Sequence, residues 1–272
     1  MVQSERVPPF SLGQIGRGTV RFPSGAPIPS ASDIAVDPYA KTRTPKEFHV
    51  EGLQFWPQLG PAEKTTYPGV VLLHEAWGLN DQIKNLANRL ACEGYAVLVP
   101  NLYGRQGGMV TANAEVAQAL AARMKEADTL QDINSCCEYL NTRDHVLKNI
   151  HAVVGFGLGG SLALRFACQR KRLRAAVAFY ANVTTPPGLL KALICPVLYH
   201  RAGADPSVSD DELSQLERAA KDFGKRVEIE TYAGAPHAFC NETRKDSYRA
   251  EAAAAAWERT VAFLNASFEA AR

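Results

Sequence analysis

The chain has 272 residues, 46% apolar and 21% charged, close to the averages of soluble globular proteins, which argues against disorder and against a coiled coil. With 30 basic and 28 acidic residues the net charge is +2, so nothing electrostatic points to nucleic acid or a membrane surface as a partner. No run of about 18 apolar residues occurs, the six cysteines show no CxxC spacing that would hold a metal, and the first residues lack the basic head and apolar core of a secretory signal, so a cytoplasmic protein is expected.

In chain order, residues 1–46 come first. Pro8, Pro9, Gly13, Gly16, Gly18, Pro23, Gly25, Pro27, Pro29, Pro38 and Pro45 punctuate them, so an irregular arm is expected, with a short strand over 18–22. The arm either wraps the domain or meets another subunit in a homo-oligomer. Phe48, Val50, Leu53 and Phe55 then suggest an extended strand or hairpin. The almost wholly apolar run 69–74 is the kind of strand buried on both faces of a parallel sheet. A helix follows from about residue 80, carried by Ile83, Leu86, Ala87 and Leu90, and Gly94 stops it. Next come a strand over 95–99, helices over 111–126 and 128–140, a strand over 150–154 and a helix over 159–168. Strands over 175–179 and 197–200, a helix over 210–223 and a strand over 227–232 continue the alternation. The last helix is expected from about residue 244, with Trp257, Val261, Leu264 and Phe268 on one face. Strands alternating with helices on short connections are βαβ units. The expectation is one α/β domain over 47–272: a mostly parallel sheet of about eight strands, helices on both faces, preceded by the arm.

The stretch Gly155-Phe156-Gly157-Leu158-Gly159-Gly160 lies between a strand and a helix and has two readings. Gly155, Gly157 and Gly160 satisfy G-x-G-x-x-G, a dinucleotide-binding turn. That motif also needs an acidic residue about 20 positions on to hold ribose hydroxyls, yet no Asp or Glu occurs between Gly160 and Asp205. The other reading is a nucleophile elbow, G-x-S-x-G or its cysteine version. Its nucleophile would stand at position 157, which is glycine. Downstream, Asp205 and His237 each follow a predicted strand, in the chain order nucleophile, acid, histidine. Open parallel sheets place their sites at such strand ends.

From about residue 67 to residue 268 the chain resembles the dienelactone hydrolase family of α/β-hydrolases. The carrying residues are Leu73-His74-Glu75-Ala76-Trp77-Gly78-Leu79-Asn80, the segment from Gly94 through Pro100-Asn101-Leu102-Tyr103-Gly104-Arg105, the glycine turn, Gly203-Ala204-Asp205, and Pro236-His237-Ala238-Phe239. The resemblance implies an α/β-hydrolase fold, a small-molecule ester or lactone as substrate, and no cofactor. It also implies a cysteine or serine at position 157, Asp205 orienting His237, and His237 moving the proton. The N–H groups of Leu158 and Ala76 match the oxyanion-hole positions. Glu75 matches a buried glutamate that meets the resting thiol in the cysteine enzymes. Trp77, Tyr103 and Arg105 fall where the substrate would be held. A second arginine expected soon after the histidine is missing, since Cys240-Asn241-Glu242-Thr243 fills that loop until Arg244.

Gly157 offers no nucleophilic atom, so acyl-enzyme chemistry is impossible there as written. Four explanations stay open: a non-catalytic relative, an inactivated variant, His237 acting as a base on water or substrate without a covalent intermediate, or another residue, Ser161 or Cys240, standing in. Blander readings compete elsewhere. His74 lacks the second histidine of H-E-x-x-H and reads as a satisfied strand-end histidine. Glu75, ending so apolar a strand, reads as part of a polar network or a site. Trp77 either lines a pocket or packs its loop. Cys136 and Cys137 read as packing residues.

Overall fold

A computed structural model describes residues 7–25, 48–59, 65–183 and 187–270. The elements are β1 (Ile15–Pro23), β2 (His49–Pro57), β3 (Tyr67–Leu73), α1 (Asp81–Cys92), β4 (Ala96–Pro100), α2 (Ala114–Ala122), α3 (Glu126–Asn141), β5 (Val146–Phe156), α4 (Leu158–Ala167), β6 (Leu173–Phe179), β7 (Val197–Ala202), α5 (Asp210–Asp222), β8 (Val227–Tyr232) and α6 (Ala250–Glu269). All eight strands form one sheet in the order β1-β2-β4-β3-β5-β6-β7-β8. β1 with β2 and β2 with β4 run antiparallel, and every other neighbour is parallel.

The apolar strands dictate this layering. Every residue of β3 and of β4 is buried, as strands covered by helices on both faces must be. One core layer gathers Leu130, Ile133, Leu162, Phe166, Leu213 and Leu216 from α3, α4 and α5. The other gathers Ile83, Leu86, Leu90, Phe263, Leu264 and Phe268 from α1 and α6. Among the described residues no helix is long and apolar enough to cross a membrane.

Three differences from the sequence expectations have local causes. The strand expected over 18–22 is longer: β1 pairs with β2 along all nine of its residues, from Ile15 opposite Pro57 to Pro23 opposite His49, and so supplies the eighth strand from within the arm. Of the rest of the arm, residues 1–6 and 26–46 lie outside the described residues. The helix expected over 111–126 is shorter, because the Asn113 side chain accepts from the Glu115 and Val116 N–H groups and fixes the start of α2; Glu126 opens α3 instead. The last helix begins at Ala250 rather than near 244. The Asn241 side chain accepts from the Thr243 N–H and hydroxyl, and the backbone turns from Asn241 through Tyr248, so side-chain bonds to the backbone displace the helix.

Candidate functional site

β5 ends at Phe156 and α4 begins at Leu158, so Gly157 alone makes the turn, with φ 51° and ψ −114°. Its N–H donates to Phe179 O at 2.9 Å, which ties the turn to the end of β6. Flanking glycines allow close backbone approach. A Cβ at Gly155 would sit 2.1 Å from Gly159 O, and one at Gly159 would sit 2.4 Å from Leu73 O. The tip itself is open. The atoms nearest to a Cβ at Gly157 would be His237 Nε2 at 3.6 Å, Tyr180 Cε2 at 3.9 Å and Glu75 Cγ at 4.0 Å, all ordinary contacts. A side chain at this position would therefore point at the imidazole.

His237 follows β8, and its Nδ1–H donates to Asp205 Oδ2 at 2.6 Å. Asp205 follows β7, and its Oδ1 accepts from the Ser207 N–H at 2.9 Å and hydroxyl at 2.6 Å. Burial pushes the Asp205 carboxyl up, but the Ser207 bonds and His237 outweigh it and hold the carboxyl below its ordinary value. The Tyr180 ring packs edge-on to the imidazole, 5.0 Å between centroids. Gly157, Leu158, Ser161, Leu162, Tyr180, Asp205 and His237 line one cleft of about 530 Å³, together with Glu126, Arg165, Asn182 and Ser207. Leu158 is the first residue of α4, so its N–H has no acceptor within the helix.

Beneath the turn, Glu75 accepts from the Tyr180 hydroxyl at 2.9 Å and from Asn241 Nδ2 at 2.7 Å. Burial raises its carboxyl, while both hydrogen bonds and the charges of His237 and Arg244 pull the other way without cancelling the rise. Glu75 is expected to titrate above the ordinary glutamate range in an NMR titration of its side-chain carbon; an ordinary value would contradict this environment. Tyr180 (φ 38°) and Ala238 (φ 64°) both hold positive φ, strain that concentrates at such sites.

Several expected residues lie elsewhere or act indirectly. Tyr103 is fully buried, and its hydroxyl donates to Ala76 O at 2.9 Å, so it tethers the loop of Ala76 rather than facing the cleft. The guanidinium of Arg105 is engaged twice by Asp132, at 2.8 and 2.7 Å, and lies over the Phe48 ring. It does not line the cleft; a bidentate carboxylate within reach has taken it. Trp77 packs under the guanidinium of Arg244 at 4.6 Å and gives its carbonyl to the Thr111 N–H. The Ser161 hydroxyl donates to Gly157 O at 3.3 Å and accepts from the Asn182 N–H at 3.0 Å, so both its roles are spent on the backbone. Burial, and then the charge of Glu75, push the Cys240 thiol well up, the opposite of what a nucleophile needs. Tyr180, Asn241 and Ser207 were not singled out from the sequence. Tyr180 carried one usable signal, its place directly after the end of a parallel strand.

His74 is the satisfied histidine expected. Its Nδ1–H donates to Glu75 O at 2.6 Å and its Nε2 accepts the Leu102 N–H at 3.1 Å. His200 is bracketed likewise by the Tyr232 hydroxyl at 2.9 Å and Thr260 Oγ1 at 2.8 Å. Burial lowers the two to about 4 and about 3. Unfolded histidine titrates near 6.5, so below that pH the unfolded chain binds protons that the folded chain refuses until the lowered values are reached. Stability is expected to fall between about pH 6.5 and 4, on the order of 1–2 kcal/mol per histidine by pH 5. Urea unfolding at pH 7.5 and 5.0 checks this, and equal stabilities would contradict it.

The model of the dienelactone hydrolase family matches residues 58–268. A Saccharolobus solfataricus protein assigned as a carboxymethylenebutenolidase is 32% identical over 228 residues, covering 72% of this chain and 88% of its own. A Bradyrhizobium protein assigned as a 2-oxo-3-(5-oxofuran-2-ylidene)propanoate lactonase is 27% identical over 207 residues, covering 72% and 83%. Among solved structures, one from Klebsiella pneumoniae assigned as a dienelactone hydrolase superposes with a TM-score of 0.75 at 24% identity, covering 91% of this chain and 99% of that one. A dienelactone hydrolase-like phosphotriesterase from metagenomic libraries gives 0.74 at 21% identity, covering 93% and 98%.

Proposed function

The chain belongs to the dienelactone hydrolase family, and on that premise we propose that it binds small-molecule esters or lactones in the cleft above Gly157 and hydrolyses them without a covalent intermediate. The carrying observation is the direction of position 157: the space a side chain would fill there opens onto His237 Nε2, with Asp205 2.6 Å behind the ring. A water seated in that space gives its proton to Nε2 as its oxygen attacks the carbonyl carbon. The developing oxyanion is met by the N–H groups of Leu158 and Ala76. Collapse breaks the ester C–O bond, and the leaving alkoxide takes the proton from Nε2, releasing acid and alcohol. Asp205, kept ionised by Ser207, holds the imidazole tautomer and stabilises its charged form.

The glycine itself favours a second reading, a binding protein that keeps the cleft and has lost the attacking atom. Stopped-flow hydrolysis of p-nitrophenyl acetate separates the two. The water route predicts measurable turnover with a linear onset, no burst and no mass adduct. A burst, with an acyl adduct on any residue, would overturn it, and an enzyme rate equal to that of the buffer would leave the binding protein.

A further inference from the structure

We propose that the far end of this cleft recognises a zwitterionic head group, so that the preferred substrates are small acyl esters of hydroxy-amino acids, held by Arg165 and Glu126. This rests on the cleft being the substrate site and deepens that reading. Leu158, Ser161, Leu162 and Arg165 stand at i, i+3, i+4 and i+7 of α4, one helix face, and all line the cleft; Glu126, the first residue of α3, lines it too. Arg165 Nη2 and Glu126 Oε2 are 3.5 Å apart, with the side chains 26% and 47% exposed. That is a loose, partly exposed pair, longer than the 2.7–2.9 Å of a charge-assisted hydrogen bond. The other arginines near the site are committed, Arg105 to Asp132 and Arg244 to the face of Trp77.

A loose ion pair inside a binding cleft has a definite chemical preference. A carboxylate alone would gain Arg165 but meet the charge of Glu126, and an ammonium alone would gain Glu126 but meet Arg165. A group carrying both charges slots between them and satisfies each. Position also fits. Seven residues of helix place Arg165 roughly 10 Å along the axis from Leu158, and long helical side chains lean back toward the N-terminus, which is the elbow. An ester carbonyl at the Leu158 N–H would thus be followed, after four or five bonds along the apolar Leu158 and Leu162, by the head group.

The test is calorimetric binding to the unaltered chain with three probes: O-acetyl-L-homoserine, its N-acetyl derivative, which is an anion only, and its methyl ester, which is a cation only. The zwitterion is expected to bind about tenfold more tightly than either. Arg165→Gln should abolish its advantage over the methyl ester, Arg165→Lys should retain part of it, and Glu126→Gln should bring the N-acetyl anion up to the zwitterion. Thermal melts confirm that the variants fold. Three probes that bind alike or not at all, an anion that binds best, or variants that leave the order unchanged would each overturn the proposal and leave the pair a tie between α3 and α4. Binding needs no turnover, so an intact preference in a chain that hydrolyses nothing would sink the water route alone.

Discussion

Gly157→Cys is expected to raise p-nitrophenyl acetate hydrolysis by at least about 100-fold and to convert the linear onset into a burst. The new Cβ would stand 3.6 Å from His237 Nε2 with no atom closer, so nothing must move to admit it. The thiol would then lie beside the imidazole at the N-terminus of α4, two influences that favour the thiolate. The same substitution should lower stability by about 1–3 kcal/mol, because φ is 51° at this residue and a Cβ is strained there. Gly157→Ser should move activity the same way by a smaller factor. If neither variant is acylated, Gly157 is not the nucleophile position.

His237→Ala should lower the residual hydrolysis of the unaltered chain by about 10²–10⁴-fold, the usual weight of a positioned proton-transfer group. The imidazole is 49% exposed and Asp205 keeps both Ser207 bonds, so its removal should leave a cooperative unfolding transition with a modest loss of stability, whereas misfolding would abolish the transition. Asp205→Asn should also lower the rate. An amide NH₂ facing Nδ1 favours the tautomer whose Nε2 carries the proton and cannot act as a base. Rates within a factor of two for all three chains would remove this pair from the chemistry.

How far the sequence foretold this site depends on the kind of residue. Strands β3 to β7 were legible because continuous apolar runs of strand length have few other uses, and Gly94 closed α1 where expected, with φ 95°. Asp205 and His237 were legible through order and loop context, and the structure brings them to 2.6 Å. Glu75 was legible as a charge at the end of an apolar strand, but its partners Tyr180 and Asn241 were not, because they come from loops 105 and 166 residues away that only the folded sheet brings together. Arg105 shows the opposite failure. The family resemblance implied a place near substrate, yet Asp132 on α3, invisible as a partner in sequence, engages its guanidinium. β1 was legible only over 18–22, because Gly16 and Pro23 mask its two ends at the sheet edge, where proline is tolerated.

Position 157, His237 and Asp205 line one cleft. Whether they act together is decided by intact-mass analysis of Gly157→Cys after a short exposure to p-nitrophenyl acetate, beside Gly157→Cys/His237→Ala. The six native cysteines are all buried, so one acetyl group is expected on the first protein and almost none on the second. Equal labelling of the two, or no labelling of either, would contradict their joint action.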